Sequence, residues 1–233
     1  MQEIFTVTGM ILKAEPFGEY DRRVVILTRE RGKIAAFAKG ARKQGSRLLA
    51  STNPFCFGEF KLFEGRTSYS ISEASISNYF EPLRADFEGA CYGMYFLEMM
   101  DYYTRENSDE KNMLRLLYQS LRALCHGGII NELVQYIFEI KALVFNGEYP
   151  GPLQGTEFLE STLYTLSYIV NTPVEKLYTF VVTKDVLAEL EKIAEEYRRR
   201  FIDRKFKSLE ILREAKAVME AKSGMNGKAE IPY

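Results

Sequence analysis

The residues of this 233-residue chain that are best suited to hold a phosphate lie in one short stretch, KGARKQGSR, at residues 39–47. Gly40 and Gly45 have the G-x-x-x-x-G spacing of a nucleotide-binding loop, whose backbone amides surround the phosphates. That loop needs lysine and then serine or threonine after the second glycine, because the ammonium reaches the phosphates and the hydroxyl holds magnesium. Serine and arginine follow instead, and a proline nine residues after Gly45 interrupts the long helix that should begin here. The stretch therefore argues against a nucleotide-hydrolysing enzyme.

No other set of reactive side chains predicts catalysis. The single histidine, His126, adjoins Cys125, and adjacent side chains on a helix cannot easily converge on one substrate as a cysteine–histidine pair must. Cys56, Cys91 and Cys125 are scattered and have no C-x-x-C spacing, so they predict neither a disulfide framework nor a cysteine-rich zinc site. We expect no catalytic residue, no cofactor and no bound metal.

The strongest chemical signal is an uneven distribution of charge. The net charge is −1, yet residues 1–80 contain 12 Lys and Arg against 8 Asp and Glu, and residues 81–233 contain 19 against 24. Such asymmetry between two parts of a chain indicates that one part meets an anionic partner. Nine cations and one acid, Glu30, lie between residues 22 and 47. Besides Arg29, these cations are the candidate contacts to a nucleic-acid backbone: Arg22, Arg23, Arg31, Lys33, Lys39, Arg42, Lys43 and Arg47.

Aromatic residues are interleaved with these cations. A barrel that binds single strands needs cations to replace counterions along the phosphates and exposed rings on which unpaired bases stack. Alternate side chains of each strand must face the barrel interior, so burial in the core is the simpler interpretation for any one ring. The candidates are Phe5, Phe37, Phe55, Phe57, Phe60 and Tyr69.

A second cationic group lies near the end of the last long amphipathic segment, in YRRRFIDRKFK. Helix C-termini favour cations in any protein, and a second contact with an anion is the alternative interpretation. Its members are Arg198, Arg199, Arg200, Arg204, Lys205 and Lys207.

The elements that position these groups change character near residue 80. Up to that point short apolar runs with period two are separated by turn residues, which predicts strands near 4–14, 22–29, 32–40, 55–63 and 67–77. Five short strands in under 80 residues suit a small closed barrel of the oligonucleotide-binding type.

After Pro82 the apolar residues have helical spacing. One predicted face begins at Phe87, the apolar segment from Leu133 to Phe145 is expected to be central, and Thr183 is expected to cap a later helix. The predicted fold class is α+β, with a five-stranded oligonucleotide-binding barrel followed by an all-α domain. The predicted divisions are 1–80 for the barrel, 81–221 for the helical domain, and 222–233 for a loose tail.

No apolar run approaches the roughly 20 residues that cross a bilayer. The start, MQEIFTVTGM, also lacks the basic-then-apolar order of a signal peptide. We therefore expect a folded protein of the cytoplasm.

Several segments of the sequence occur in an order that is typical of one protein family. The first half contains GMILKAEPFGEYDRRVVILTRERGKIAAFAKGARKQGSRLLASTNPFCFGEF, with an acidic-then-basic GEYDRR, a RERGKI turn and a KGARK segment that leads to PF. The second half contains FEIKALVFNGEYP and KSLEIL. This series resembles the RecO family of bacterial recombination mediators, closely over residues 8–60 and more loosely afterwards.

The resemblance implies an oligonucleotide-binding barrel followed by an α-helical domain, and a role that is not enzymatic. It implies binding of single- and double-stranded DNA, annealing of complementary strands and, with RecR, help for RecA in replacing single-strand-binding protein. It also implies recognition of the acidic, hydrophobic C-terminal tail of single-strand-binding protein, and an association with the nucleoid. The cations from Arg22 to Arg47 selected above are the matching DNA-contact candidates.

One departure from the family pattern concerns zinc. Many relatives carry a four-cysteine zinc site shortly after the segment that corresponds to NGEYP, whereas residues 151–170 of this chain contain no cysteine. The resemblance therefore implies a variant without zinc.

Two alternatives to DNA binding remain open from the residues alone. The first is a protein-interaction scaffold in which the barrel and the helical domain bind acidic partner peptides. The second is a nucleotide-dependent enzyme, which the missing lysine after Gly45 disfavours.

Overall fold

The structure is a computed structural model that describes residues 4–65 and 68–226. Its first part is a closed barrel with the strand order β1-β2-β3-β5-β4. All neighbouring strands pair antiparallel except β3 and β5, which pair in parallel over a short stretch. The elements are β1 (Ile4–Phe17), β2 (Asp21–Thr28), β3 (Gly32–Ala38), the short helix α1 (Leu48–Ser51), β4 (Phe57–Glu64) and β5 (Tyr69–Asn78).

The interior of the barrel is filled by alternate residues of its strands. On β2, Val24 and Ile26 point inward, and on β3, Ile34 and Ala36 do the same, all with 0–1% exposure. The residues between them face outward, as the period of two in the sequence predicts. The five-stranded barrel at the N-terminus is therefore confirmed.

Helices make up the rest of the described chain, which confirms the α+β class. They are α2 (Pro82–Ala85), α3 (Phe87–Tyr103), α4 (Lys111–His126), α5 (Asn131–Asn146), α6 (Glu160–Asn171), a 3-10 turn (Val174–Lys176), α7 (Lys184–Phe201) and α8 (Lys207–Asn226). Residues 133–143 of α5 are buried without exception, so α5 is central as expected. Among the residues that the structure describes, no helix is long and apolar enough to span a membrane.

The helix ends follow their sequence signals. Gly127 and Gly147 adopt left-handed conformations, with φ of 63° and 75°, directly after α4 and α5, where an L side chain would be strained. The Thr183 hydroxyl accepts a hydrogen bond from the amide of Val186 at the start of α7. This contact confirms the predicted cap.

The barrel and the helices share one apolar cluster. Met10, Leu12 and Leu27 are outward-facing barrel residues that pack into the same buried cluster as α3, α4 and α5. Phe55, in the turn before β4, has a φ of 71° and is 8% exposed. A Cβ on Gly93 of α3 would lie 2.9 Å from the Phe55 ring, so the glycine makes room for that ring.

Three predicted features differ from the structure. Phe87 was expected on a buried face but is 59% exposed, because it is the first residue of α3 and lies beyond the packed part of that helix. The fourth strand begins at Phe57 because Phe55 turns toward α3.

The tail differs as well. α8 continues to Asn226, through the first residues of the expected loose tail at 222–233. Gly224 does not end it, since glycine inside a helix costs only about 1 kcal/mol relative to alanine. Residues 227–233 lie outside the described residues.

Candidate nucleic-acid interface

Residues 39–47, which connect β3 to α1, form a loop on the barrel surface that we name the basic loop. Its four cations, Lys39, Arg42, Lys43 and Arg47, are all exposed. The Lys39 and Arg47 side chains have no hydrogen bond or ion pair to the residues that the structure describes. These four charges therefore lie together in one loop and face solvent.

The backbone of the basic loop is fixed to the turn between β1 and β2. The amide of Gly40 donates to Asp21 Oδ1 at 2.7 Å, and the amide of Arg42 donates to the Tyr20 carbonyl at 2.8 Å. Gly40 and Gly45 have φ of 64° and 78°, the left-handed region that glycine adopts without strain. The glycines therefore shape a loop in which the amides of Gly40 and Arg42 are already bonded within the protein.

A groove of about 460 Å³ separates the basic loop from the β1–β2 turn. Tyr20, which is 45% exposed, forms one side of it, and the Lys43 ammonium lies 5.4 Å from the centre of its ring. Arg42 Nη1 lies near the carbonyls of Gly18 and Glu19, at 3.4 and 3.3 Å. The groove thus combines Lys39 and Lys43 with one exposed ring and two acidic residues, Glu19 and Asp21.

Arg23 adds a cation on the outer face of β2. It lies opposite Glu15 of β1 and opposite Phe37 of β3, so the three residues form one row across the sheet. Arg23 Nη1 is 3.7 Å from a Glu15 carboxylate oxygen, and both side chains are nearly half exposed. The pKa of Glu15 is lowered, first by the hydrogen bond from Lys13 and less by Arg23. Arg23 therefore has one long contact, with a carboxylate that also pairs with Lys13 at 2.9 Å.

Three predicted contact residues are used inside the protein. Arg22 Nη1 lies 3.2 Å from the Leu49 carbonyl, 2.9 Å from Thr52 Oγ1 and 3.0 Å from Asn53 Oδ1. Burial, followed by the charge of Arg42, lowers the pKa of Arg22. This arginine holds α1 and the following turn against the barrel.

Arg31 and Lys33 are occupied in a similar way. The Arg31 guanidinium lies 3.9 Å from the centre of the Phe5 ring and 3.0 Å from Glu64. The Lys33 ammonium bonds to the backbone carbonyl of Asp101 and lies 3.1 Å from its carboxylate. Both cations stabilise the folded chain. Of the other five predicted contacts, Lys39 and Arg47 have no partner among the described residues, and Arg42 bonds only to the carbonyls of the β1–β2 turn.

The predicted aromatic residues divide into buried and half-buried rings. Phe60 and Phe55 are buried, and Phe57 packs against Tyr118 with ring centroids 4.6 Å apart. Phe5 is covered by Arg31, which leaves Phe37 and Tyr69 half-buried.

Sequence reasoning missed two exposed rings, those of Phe17 and Tyr20. A signal was present in PFGEYD, because rings in a glycine-containing turn between two polar strand ends have no core to enter. The Phe17 and Phe37 centroids lie 4.8 Å apart.

The second predicted cationic group is partly structural. Arg198 forms a buried ion pair with Glu139 of α5, which also accepts hydrogen bonds from Tyr95 at 2.8 Å and Gln135 at 2.7 Å. Arg199 and Arg200 both bond to Glu196 one turn earlier on α7, and Arg204 lies 3.8 Å from Asp101. Lys205 and Lys207 are exposed and have no partner among the described side chains.

A groove of about 560 Å³ lies between the end of α7 and the start of α8, and we name it the α7–α8 groove. Its apolar lining is Ile202, Phe206 and Leu209. Charged side chains surround these residues: Glu195, Arg198, Arg199, Arg204, Lys205, Glu210 and Arg213.

The described residues contain no group of three or more His, Cys, Asp or Glu side chains able to hold a metal ion. Burial raises the pKa of the Cys56, Cys91 and Cys125 thiols, which keeps them protonated and weakly nucleophilic. His126 Nδ1 lies 2.6 Å from the Arg122 carbonyl, one turn back at the end of α4.

Two family models match this chain. The model described as Recombination protein O N terminal matches residues 1–80, and the model described as Recombination protein O C terminal matches residues 84–151. The chain is 29% identical over 235 residues to DNA repair protein RecO of Clostridium perfringens (strain 13 / Type A), an alignment that spans 88% of this chain and 96% of that protein. It is 27% identical to DNA repair protein RecO of Clostridium novyi (strain NT), over 89% of this chain and 93% of the relative. Over a shorter alignment, 61% of this chain and 58% of the relative, it is 34% identical to DNA repair protein RecO of Alkaliphilus metalliredigens (strain QYMF).

Proposed function

Because this chain belongs to the RecO family of DNA repair proteins, we propose that it binds single- and double-stranded DNA through the basic loop and Arg23. The binding is non-enzymatic, has little sequence preference and needs no cofactor. We expect the protein to lie in the cytoplasm, associated with the nucleoid.

The observation that carries the proposal is the state of the basic loop. Four cations are exposed on a backbone that hydrogen bonds hold to the neighbouring hairpin. A fixed backbone lowers the entropy lost on binding, while the long side chains can adjust to phosphates of any sequence. Contacts of this kind position a strand without reading its bases.

The affinity then comes mainly from counterions that the cations displace from DNA. Five contacts, from Arg23 and the four loop residues, predict a slope of log K against log salt of about −3.5 for single strands and about −4.5 for duplex. Fluorescence anisotropy of a labelled oligonucleotide from low to moderate salt measures this slope. A flat response, or no binding at low salt, would contradict the proposal.

We further propose that the protein anneals complementary strands and, with RecR, helps RecA to load onto DNA covered by single-strand-binding protein. A surface that neutralises phosphates without reading bases supports annealing, because it lowers the repulsion between two strands and leaves their pairing edges free. The test follows duplex formation from two complementary labelled strands, with and without single-strand-binding protein. Annealing no faster than without the protein would exclude this part of the proposal.

The α7–α8 groove supports a second candidate function, the binding of acidic partner peptides. Its apolar lining suits a hydrophobic end residue, and Arg204, Lys205 and Arg213 on its rim suit acidic ones. The C-terminal tail of single-strand-binding protein has this chemistry. A labelled peptide that ends in acids and phenylalanine should bind, and Lys205→Glu should weaken it, whereas Lys184→Glu on the exposed start of α7 should not. Equal binding by all three proteins would exclude this groove.

A further inference from the structure

Two phenylalanine rings lie together on the outer surface of the barrel, next to the basic loop. Phe17 ends β1 and is 51% exposed, and Phe37 lies near the end of β3 and is half-buried. Their ring centroids are 4.8 Å apart, with an angle of 56° between the planes. Together they form an aromatic surface to which Phe17 contributes the more exposed ring.

Cations lie on two sides of this aromatic pair. Arg23 occupies the strand position opposite Phe37, and Lys39 follows Phe37 by two residues at the start of the basic loop. Neither is withdrawn into the fold, since Lys39 has no partner among the described residues and Arg23 has only a 3.7 Å contact with Glu15. A strand whose phosphates lie on these cations therefore has its bases within reach of the two rings.

The surface beside Phe37 also has room for a base. A depression of about 440 Å³ adjoins the ring, and its lining includes Ala35, Ser68 and Tyr69. Glu64 and Glu106 also line it, and their carboxylates accept hydrogen bonds from Arg31 and from the Tyr69 hydroxyl. Ala35 is the outward residue of β3 next to Phe37, and its small side chain leaves the face of the sheet open at that point.

We propose that Phe17 and Phe37 stack on unpaired bases and give this DNA site its preference for single strands. The inference rests on the proposed DNA binding. It identifies the residues that distinguish single-stranded from double-stranded DNA. Phosphates are available in both forms, so the basic loop serves both. In a duplex each base is covered by its neighbours above and below, so the rings find a partner only in a single strand.

The first test compares affinities. Stacking contributes about fivefold or more in affinity for each base. Phe17→Ala/Phe37→Ala should therefore lose at least about fivefold in binding to a single strand of about 16 nucleotides, the upper site size of one such barrel. Binding to a duplex of the same sequence should change little. Phe87→Ala, on a ring that is 59% exposed far from the basic loop in sequence, is the matched control.

The second test uses fluorescence and does not depend on truncating a ring. The chain contains no tryptophan, so Phe37→Trp introduces a single reporter at the proposed contact. Stacked bases should quench its emission when single-stranded DNA is added, and duplex should not. Phe87→Trp should show no quenching with either form, and a thermal melt of each variant verifies that it is folded.

The outcomes separate this inference from the proposed function. If the wild-type protein binds neither form of DNA, the proposed function fails. Suppose instead that the wild-type protein binds DNA. If the double alanine variant then loses affinity for single strands and duplex equally, or loses affinity for neither, the stacking inference fails and DNA binding stands. Equal quenching of Phe37→Trp by both forms would also overturn the inference.

Discussion

The Lys33 ammonium lies 3.1 Å from the Asp101 carboxylate and also bonds to the Asp101 backbone carbonyl, so a cation of strand β3 is held by the end of helix α3. The two side chains are 21% and 23% exposed. The other Asp101 oxygen lies 3.8 Å from Arg204, in the connection between α7 and α8. One carboxylate thus joins the barrel to two parts of the helical region.

Replacing Lys33 by alanine should lower the free energy of unfolding and leave the affinity for DNA nearly unchanged. Removing a hydrogen bond to a charged, partly buried group costs about 1–3 kcal/mol. We expect Lys33→Ala to lower the free energy of unfolding by that amount, which appears as a lower urea midpoint with an unchanged m-value. The salt dependence of DNA binding should stay as in the wild type.

Lys39→Ala is the matched variant, since it removes the same side chain from an exposed position of the barrel. It should leave the unfolding midpoint unchanged and reduce the salt slope by about 0.7 for a single strand. If Lys33→Ala reduced the slope as much as Lys39→Ala does, then Lys33 would be a DNA contact in spite of Asp101.

Replacing three cations of the basic loop should weaken DNA binding without regard to sequence. Lys39→Ala/Arg42→Ala/Lys43→Ala removes up to three phosphate contacts, and the salt slope should fall by about 2 for single strands. Anisotropy titrations with two oligonucleotides of unrelated sequence should show the same loss.

A triple variant elsewhere provides the control for charge. Lys176→Ala/Lys184→Ala/Lys192→Ala removes the same net charge from exposed residues of the helical region. It should retain the wild-type slope. A loop variant that affects one oligonucleotide far more than the other would instead indicate contacts to bases.

Removing Arg198 should destabilise the protein strongly, although this residue belongs to the second cationic group. Its guanidinium side chain is 13% exposed and pairs with Glu139, which is 3% exposed. Truncating one partner of a buried pair leaves an uncompensated charge and costs about 3–5 kcal/mol. Urea unfolding should show this loss for Arg198→Ala and no change for Lys205→Ala, which lies on the exposed rim of the α7–α8 groove. A small effect of Arg198→Ala would contradict the assigned role of the pair.

Gly93→Ala tests the contact between the barrel and α3. Alanine normally favours a helix by about 1 kcal/mol over glycine, but here the new Cβ would lie 2.9 Å from the Phe55 ring and 3.3 Å from Leu121. Overpacking of this kind costs about 1–3 kcal/mol. We therefore expect a net loss of about 1 kcal/mol in the free energy of unfolding.

Gly89→Ala on the same helix is the comparison. There the nearest obstacle is the Asp86 carboxylate, whose flexible side chain can rotate away. Stability should be equal or higher. Equal gains at both glycines would mean that the Phe55 ring moves without cost.

The fold was largely predictable because its signals are local. The alternation of apolar residues located five strands, and Thr183, Gly127 and Gly147 marked helix ends through their own backbone chemistry. The boundary at Phe55 was missed because a distant glycine, Gly93, decides which way that ring turns.

The candidate site was less predictable because charge alone does not reveal a partner. Arg22 and Lys33 have the same kind of sequence surroundings as Arg23 and Lys39, yet their acceptors lie 27–31 and 68 positions away. Only the three-dimensional arrangement separates cations that complete the fold from cations that face solvent.

The position of the Phe55 ring beside Gly93 limits how the two parts of this protein can be exchanged between relatives. A barrel transplanted onto foreign helices would present Phe55, Met10, Leu12 and Leu27 to a surface not shaped for them. A working chimaera must therefore take Gly93 of α3 and Phe55 of the barrel from the same parent protein.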